Sequence, residues 1–197
     1  MLLVSRRASL FRRVLVNRFA LLALVVLAGC ATTQAPRAPL PQGAGAFSLE
    51  GRISVHYGEQ NLSGKFTWDH TPATDDVGLA SPLGTQMAQI TRDEHGVTLT
   101  DSEQHKYRAR DVESLTQTRL GWRMPLAGLT DWVHARPHGS QAKIERDSAG
   151  RPSILREDGW VIEYGYSGDG RAPQRLFLNY TLSEQPLDIR LAIDTRG

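Results

Sequence analysis

A pair of histidines, two pairs of adjacent carboxylates and one cysteine are the groups in this chain whose types and spacing could carry chemistry. His134 and His138 stand four apart, the spacing that puts two imidazoles on one face of a helix to hold a metal. Pro137 lies between them and no Glu follows His134, so His138 is expected to leave the helix and both rings to be solvated. Asp75-Asp76 and Glu157-Asp158 raise the possibility of paired acids for acid–base work. Neighbours on a strand point to opposite faces, and in turns they meet water, so solvated carboxylates are expected at both places. There is no Gly-x-Ser-x-Gly elbow and no phosphate loop, and Gly168-Asp169-Gly170 reads as a hairpin turn. A triad assembled from distant residues stays open to any chain of this length. The single cysteine, Cys30, rules out an internal disulfide framework and a Cys-rich metal cluster. Neither a metal nor a cofactor is expected.

Cys30 acquires a meaning from what precedes it. Residues 1–18 are basic, and residues 19–28 form an unbroken apolar run that ends in Leu27-Ala28-Gly29-Cys30. The run is far shorter than the roughly 20 residues that cross a bilayer, but it suits the apolar region of a secretory signal. Small residues at 28 and 29 admit a peptidase, and the thiol at 30 is a nucleophile that can take up lipid. The segment resembles a bacterial lipoprotein signal, in which Cys30 is acylated and becomes the mature N-terminus. Ala31 follows, where an Asp would signal inner-membrane retention in lipoproteins of this kind. The resemblance therefore implies an outer-membrane, lipid-anchored, periplasm-facing protein. Several acyl chains on one residue suffice for stable anchoring.

The charge balance shifts with that cleavage. Of 23 Lys and Arg, five (Arg6, Arg7, Arg12, Arg13 and Arg18) lie in residues 1–29, which hold no acid. The remaining 18 face 21 Asp and Glu, so the mature chain is slightly acidic and no nucleic-acid partner is expected. Residues 31–46 carry three Pro and two Gly with no aromatic residue, and read as a tether that spans roughly 20–24 Å. Residues 1–29 are thus read as a signal peptide, 30–46 as the lipidated N-terminus and tether, and 47–197 as one folded domain, a monomer.

The domain must be built largely from strands. Phe47, Leu49, Gly51, Ile53, Val55 and Tyr57 alternate with polar residues, then Gly58-Glu59-Gln60-Asn61 turns the chain, and Leu62, Gly64, Phe66 and Trp68 alternate again. Shorter strands are expected near 76–80, 86–92, 97–100, 104–109, 141–146, 153–157, 160–166, 174–182 and 187–194. Two helices interrupt them. One is capped by Asp111 and presents Val112, Leu115 and Leu120; the other starts at Pro125, presents Leu126, Leu129, Trp132 and Val133, and is stopped by Pro137. Strands, two helices, then strands suggest an antiparallel sheet with helices on one side.

Phe66, Trp68, Trp122, Trp132, Trp160, Tyr164, Tyr166, Phe177 and Tyr180 lie on these elements. They either fill a core or line an apolar cavity between sheet and helices, and composition does not separate the two. Ser81-Pro82-Leu83-Gly84 reads as a turn with Leu83 at its tip, where little chain is available to bury it.

Several segments, taken in order, resemble the LolB family. They are Gly51-Arg52-Ile53-Ser54-Val55, Ser63-Gly64-Lys65-Phe66-Thr67-Trp68, Ser81-Pro82-Leu83-Gly84, Leu120-Gly121-Trp122 with Pro125-Leu126 and Leu129-Thr130-Asp131-Trp132, Gly159-Trp160-Val161-Ile162-Glu163-Tyr164, and Leu187-Asp188-Ile189-Arg190-Leu191-Ala192-Ile193-Asp194. The resemblance covers about 47–194. It implies an unclosed, strongly curved antiparallel β half-barrel whose mouth is capped by short helices over an apolar cavity. It implies a non-enzymatic role: accepting lipoproteins from the periplasmic carrier LolA by binding their acyl chains, then inserting them into the outer membrane. Leu83 matches the family's protruding leucine, which enters the membrane, so outer-membrane phospholipids join the expected partners. Phe66, Trp68, Trp122, Trp132, Trp160, Tyr164 and Phe177 are the expected cavity residues. Without a phosphate loop, transfer is expected to run downhill. A lipid-anchored envelope hydrolase and a structural envelope scaffold are the competing classes.

Overall fold

The structure is a computed structural model, and it describes residues 45–182 and 185–197. The signal, Cys30 and the tether as far as residue 44 lie outside the described residues. Eleven strands form one sheet: β1 (Phe47–Tyr57), β2 (Gln60–His70), β3 (Asp75–Ala80), β4 (Gln86–Asp93), β5 (Gly96–Asp101), β6 (Lys106–Ala109), β7 (Lys143–Arg146), β8 (Pro152–Glu157), β9 (Trp160–Gly165), β10 (Arg175–Tyr180) and β11 (Leu187–Arg196). Two helices, α1 (Val112–Leu120) and α2 (Leu126–Trp132), separate β6 from β7.

The strand order is β6-β5-β4-β3-β2-β1-β11-β10-β9-β8-β7, with every neighbouring pair antiparallel. β1 and β11 are central partners, and the chain runs outward from each to a free edge. β6 and β7 do not pair, so the sheet stays open. Because those edges are consecutive in the chain, residues 110–142 must cross from one to the other, and they carry both helices.

Local chemistry sets the turns. Tyr57 pairs with Gln60 across Gly58-Glu59, where Gly58 has φ 57°, as a type II′ turn requires at its first position. Glu157 pairs with Trp160 across Asp158-Gly159, with φ 47° and 81°, the two positive angles of a type I′ turn. Curvature has an identifiable source at Gly51. The β1–β11 register slips between Glu50 and Gly51, and a Cβ at Gly51 would run into the Ala192 carbonyl oxygen. A bulge beside a residue with no side chain lets the strands approach and bend.

One face of each strand builds the core. Leu49, Ile90, Leu99, Leu155, Ile162, Leu176, Leu178 and Ile189 are almost wholly buried. The helices complete it from the concave side with Val112, Leu115, Leu126, Leu129 and Trp132. Asp111 caps α1 as the sequence suggests, accepting a hydrogen bond from Ser114 N at 2.7 Å, and Gly121 closes it with φ 83°. The second helix ends earlier than expected, at Trp132 rather than against Pro137. Tight bonds from His134 N to Asp131 O (2.9 Å) and Ala135 N to Trp132 O (2.9 Å), with Ala135 at φ 55°, turn the chain before the proline can act.

Candidate functional site: a lidded cavity and an exposed leucine

Beneath the helices lies a cavity of about 650 Å³. Its walls are α1 at Glu113 and Gln117, the α1–α2 segment at Arg123 and Pro125, and α2 at Gly128 and Trp132. The sheet contributes Tyr57, Trp160, Tyr180 and Leu187. These four sheet residues sit at strand ends that meet at one end of the half-barrel. Trp132, Trp160 and Tyr180 form an aromatic run along it, with ring centroids 5.9 and 4.9 Å apart. The volume falls within the roughly 300–1,000 Å³ of small-ligand sites, and aromatic walls with a polar rim are their usual lining. A second recess of about 380 Å³ lies across the helices, and Glu113, Ala127 and His138 border both.

The expected aromatic residues separate into three groups. Trp132 and Trp160 border the cavity. Phe66, Trp68 and Trp122 are buried in the core, and Tyr164 packs partly buried against it, with burial pushing its hydroxyl pKa up. Phe177 must be corrected. It is 42% exposed on the convex face, opposite its buried neighbours Leu176 and Leu178. The alternation of β10 dictates this, since a residue between two inward leucines points outward.

The carboxylates also depart from expectation. Asp75 and Glu157 are buried, not solvated, at 2% and 5% exposure. Each accepts from an indole. Trp68 Nε1 donates to Asp75 at 2.8 Å, and His70 Nδ1 (2.7 Å) and Arg92 Nε (2.5 Å) join it. Trp132 Nε1 donates to Glu157 at 2.9 Å, with His138 N at 3.0 Å and Gly139 N completing the set. Burial pushes the Glu157 carboxyl up, but these donors outweigh it and hold the pKa below the usual range. Glu157 thus ties α2 and the chain after it to β8. Arg196 adds a tie on β11, its Nη2 donating to Val133 O at 3.0 Å. Buried indoles need an acceptor, and this is the sequence signal that could have found both carboxylates.

The histidines are not brought together on a helix. His134 Nδ1 lies 3.1 Å from Thr130 O and its ring meets Phe47 edge-on at 4.9 Å, so it is half-buried rather than solvated. His138 Nδ1 lies 2.9 Å from Asp131. Burial holds the His134 pKa below its ordinary value.

Leu83 stands 96% exposed. Its loop is preorganised: Gly84 N donates to Ser81 O at 2.9 Å, Ser81 N to Thr85 O at 2.8 Å, and Thr85 N to Ser81 Oγ at 3.2 Å. Proline at the second turn position and Gly84 at φ 93° suit a type I turn followed by a left-handed residue. The turn spends its polar groups internally and leaves the leucine to solvent.

An unclosed sheet with two helices across its concave face, and an aromatic cavity under them, defines a half-barrel ligand-binding protein. The family profile described as "Outer membrane lipoprotein LolB" matches residues 45–195. The chain is 39% identical over 173 residues to the outer-membrane lipoprotein LolB of Thiobacillus denitrificans, covering 86% of this chain and 90% of that one. It is 34% identical over 200 residues to the LolB of Cupriavidus necator, covering 98% of each, and 35% identical over 171 residues to that of an Azoarcus species, covering 86% of this chain and 88% of that one. The chain belongs to the LolB family of outer-membrane lipoproteins.

Proposed function

We propose that this protein accepts lipoproteins from a LolA-like periplasmic carrier by sheltering their acyl chains under the α1–α2 lid, and inserts them into the outer membrane. The observation that carries this reading is the aromatic cavity of about 650 Å³ on the concave face. Burying one chain of about 16 carbons is worth on the order of 12 kcal/mol, so such cargo needs an apolar shelter to cross water. Transfer to the membrane then requires an acceptor that holds the chain more tightly than the carrier and less tightly than the bilayer. Val112, Leu115, Leu126 and Leu129 rest on the sheet, so cargo that fills more of the concave face must displace them. The ties through Glu157 and Arg196 fix α2 and the chain after it to β8 and β11, while α1 packs against β5 and β6 through Val112 and Leu115.

The described core runs from Phe47 to Ile193, so residues 45–197 carry all of it and are the unit for the binding assays. A fatty-acyl probe should shift the fluorescence of Trp132 and Trp160 in that chain at micromolar concentration. No spectral change and no probe binding would refute the cavity's role.

Anchoring through acylated Cys30 is part of the same proposal, with 1–29 removed and 30–46 as tether. Cys30→Ala should abolish palmitate labelling and leave an unprocessed precursor. Mass spectrometry of wild type showing cleavage elsewhere and no acyl group would overturn it.

A further inference from the structure

We infer that the convex face carries a second membrane contact, a cationic groove beside the Leu83 loop that docks on anionic phospholipid headgroups. The inference rests on the membrane contact that the family resemblance implies for Leu83 and extends it to a surface the sequence did not single out. A groove of about 490 Å³ crosses β2, β1, β11 and β10 on the side away from the helices. Lys65 pairs with Arg52, Arg52 with Ala192, and Ala192 with Arg175, so three cations stand in one cross-strand row with only a methyl between them. Arg190 stands in the next row, its guanidinium 5.8 Å from the Phe177 ring centroid. None of the residues that line the groove is a carboxylate. Arg52 meets Asp194 at 3.0 Å beside it, whereas Lys65 and Arg175 have no ion pair among the described residues. Like charges in one row repel, and Lys65 and Arg175, the two of the row without an ion pair, are stabilised by an anionic surface.

The apolar groups point to a membrane as that surface. Among the described residues three large apolar side chains are exposed, Leu83, Phe177 and Leu182. Two of them flank the cations: Phe177 lines the groove, and so does Pro82, the residue before Leu83. Apolar side chains at the acyl boundary with cations at the phosphate level are the pattern of an interfacial contact. Docking on this face also leaves the helices, on the opposite face, turned toward the periplasm, where cargo arrives.

Vesicle cosedimentation of residues 45–197 tests it, with phosphatidylcholine vesicles alone and with phosphatidylglycerol added. Phosphatidylglycerol should strengthen binding, and added salt should reverse the gain. Each cation near an anionic surface contributes such that the double substitution Lys65→Gln with Arg175→Gln should weaken binding to the anionic vesicles about 30-fold. The same variant should bind phosphatidylcholine and the fatty-acyl probe as wild type does, and Lys65→Arg with Arg175→Lys should retain the anionic preference. Unchanged anionic binding in the Gln variant would overturn the inference, even where Leu83→Glu abolishes insertion and the proposed function stands. Loss of carrier-dependent acceptance with vesicle binding intact would make the groove a protein-docking surface and overturn it equally. Loss of probe binding along with vesicle binding would mean the substitutions disturb the fold, and that too would overturn a surface role.

Discussion

Leu83→Glu is expected to receive lipoprotein from the carrier as wild type does and to fail in passing it to liposomes. The side chain is 96% exposed and its turn is held by bonds through Ser81, so the substitution removes no core contact and no hydrogen bond. Acceptance depends on a cavity whose lining does not include Leu83. Delivery is different. Burying a leucine is worth roughly 1.5–3 kcal/mol, whereas carrying an ionised carboxylate into an apolar layer costs far more than that. A change of about 3 kcal/mol already lowers an equilibrium more than 100-fold, so incorporation should fall at least to that extent. Leu83→Ile and Leu83→Phe should keep most of it. Normal incorporation by Leu83→Glu would reject the insertion role, and loss of acceptance too would make Leu83 structural.

Asp75→Ala should be strongly destabilising although it lies away from the apolar core. Asp75 gathers three donors while 2% exposed, and Trp68, one of them, is itself buried. Removing one partner of a buried charge network costs about 3–5 kcal/mol, because the others remain without solvent. Arg92 is about a third exposed and can turn to water, which argues for the lower end, about 3 kcal/mol. For a domain of this size that corresponds to a fall in Tm of roughly 6–12 °C. Asp75→Asn keeps an acceptor for the indole and should cost less. Thermal unfolding of residues 45–197 measures both, and a loss below about 1 kcal/mol for Asp75→Ala would mean that water reaches the site.

The strands were legible because period two survives wherever one face is buried. β1 alternates through its whole length and β2 from Leu62 to Trp68 as written in the sequence, and β11 does so until the bulge-side end. The same rule already placed Phe177 outside, since Leu176 and Leu178 flank it; counting aromatic residues without their faces brought it wrongly into the cavity. The α1 cap was legible because Asp111 acts over three residues. The end of α2 was not, because the left-handed Ala135 has no signature in an alanine. The buried states of Asp75 and Glu157 were hidden for another reason: their donors come from other strands and from α2, and adjacency in sequence carries no information about a partner 25 residues away. Of the cavity wall, Trp132 and Trp160 are aromatic residues that the sequence itself picks out, while Tyr57, Gln117 and Gly128 meet there only because strand ends and the lid converge.

The most direct measurement is the transfer of a radiolabelled, acylated lipoprotein from a LolA-like carrier to purified residues 45–197, followed by separation of the two proteins. Label should move to this chain without added nucleotide, a bound fatty-acyl probe should compete with it, and liposomes should then take the label from wild type but not from Leu83→Glu. Label that stays on the carrier, or that reaches this chain with its acyl chains removed, would contradict the proposed transfer.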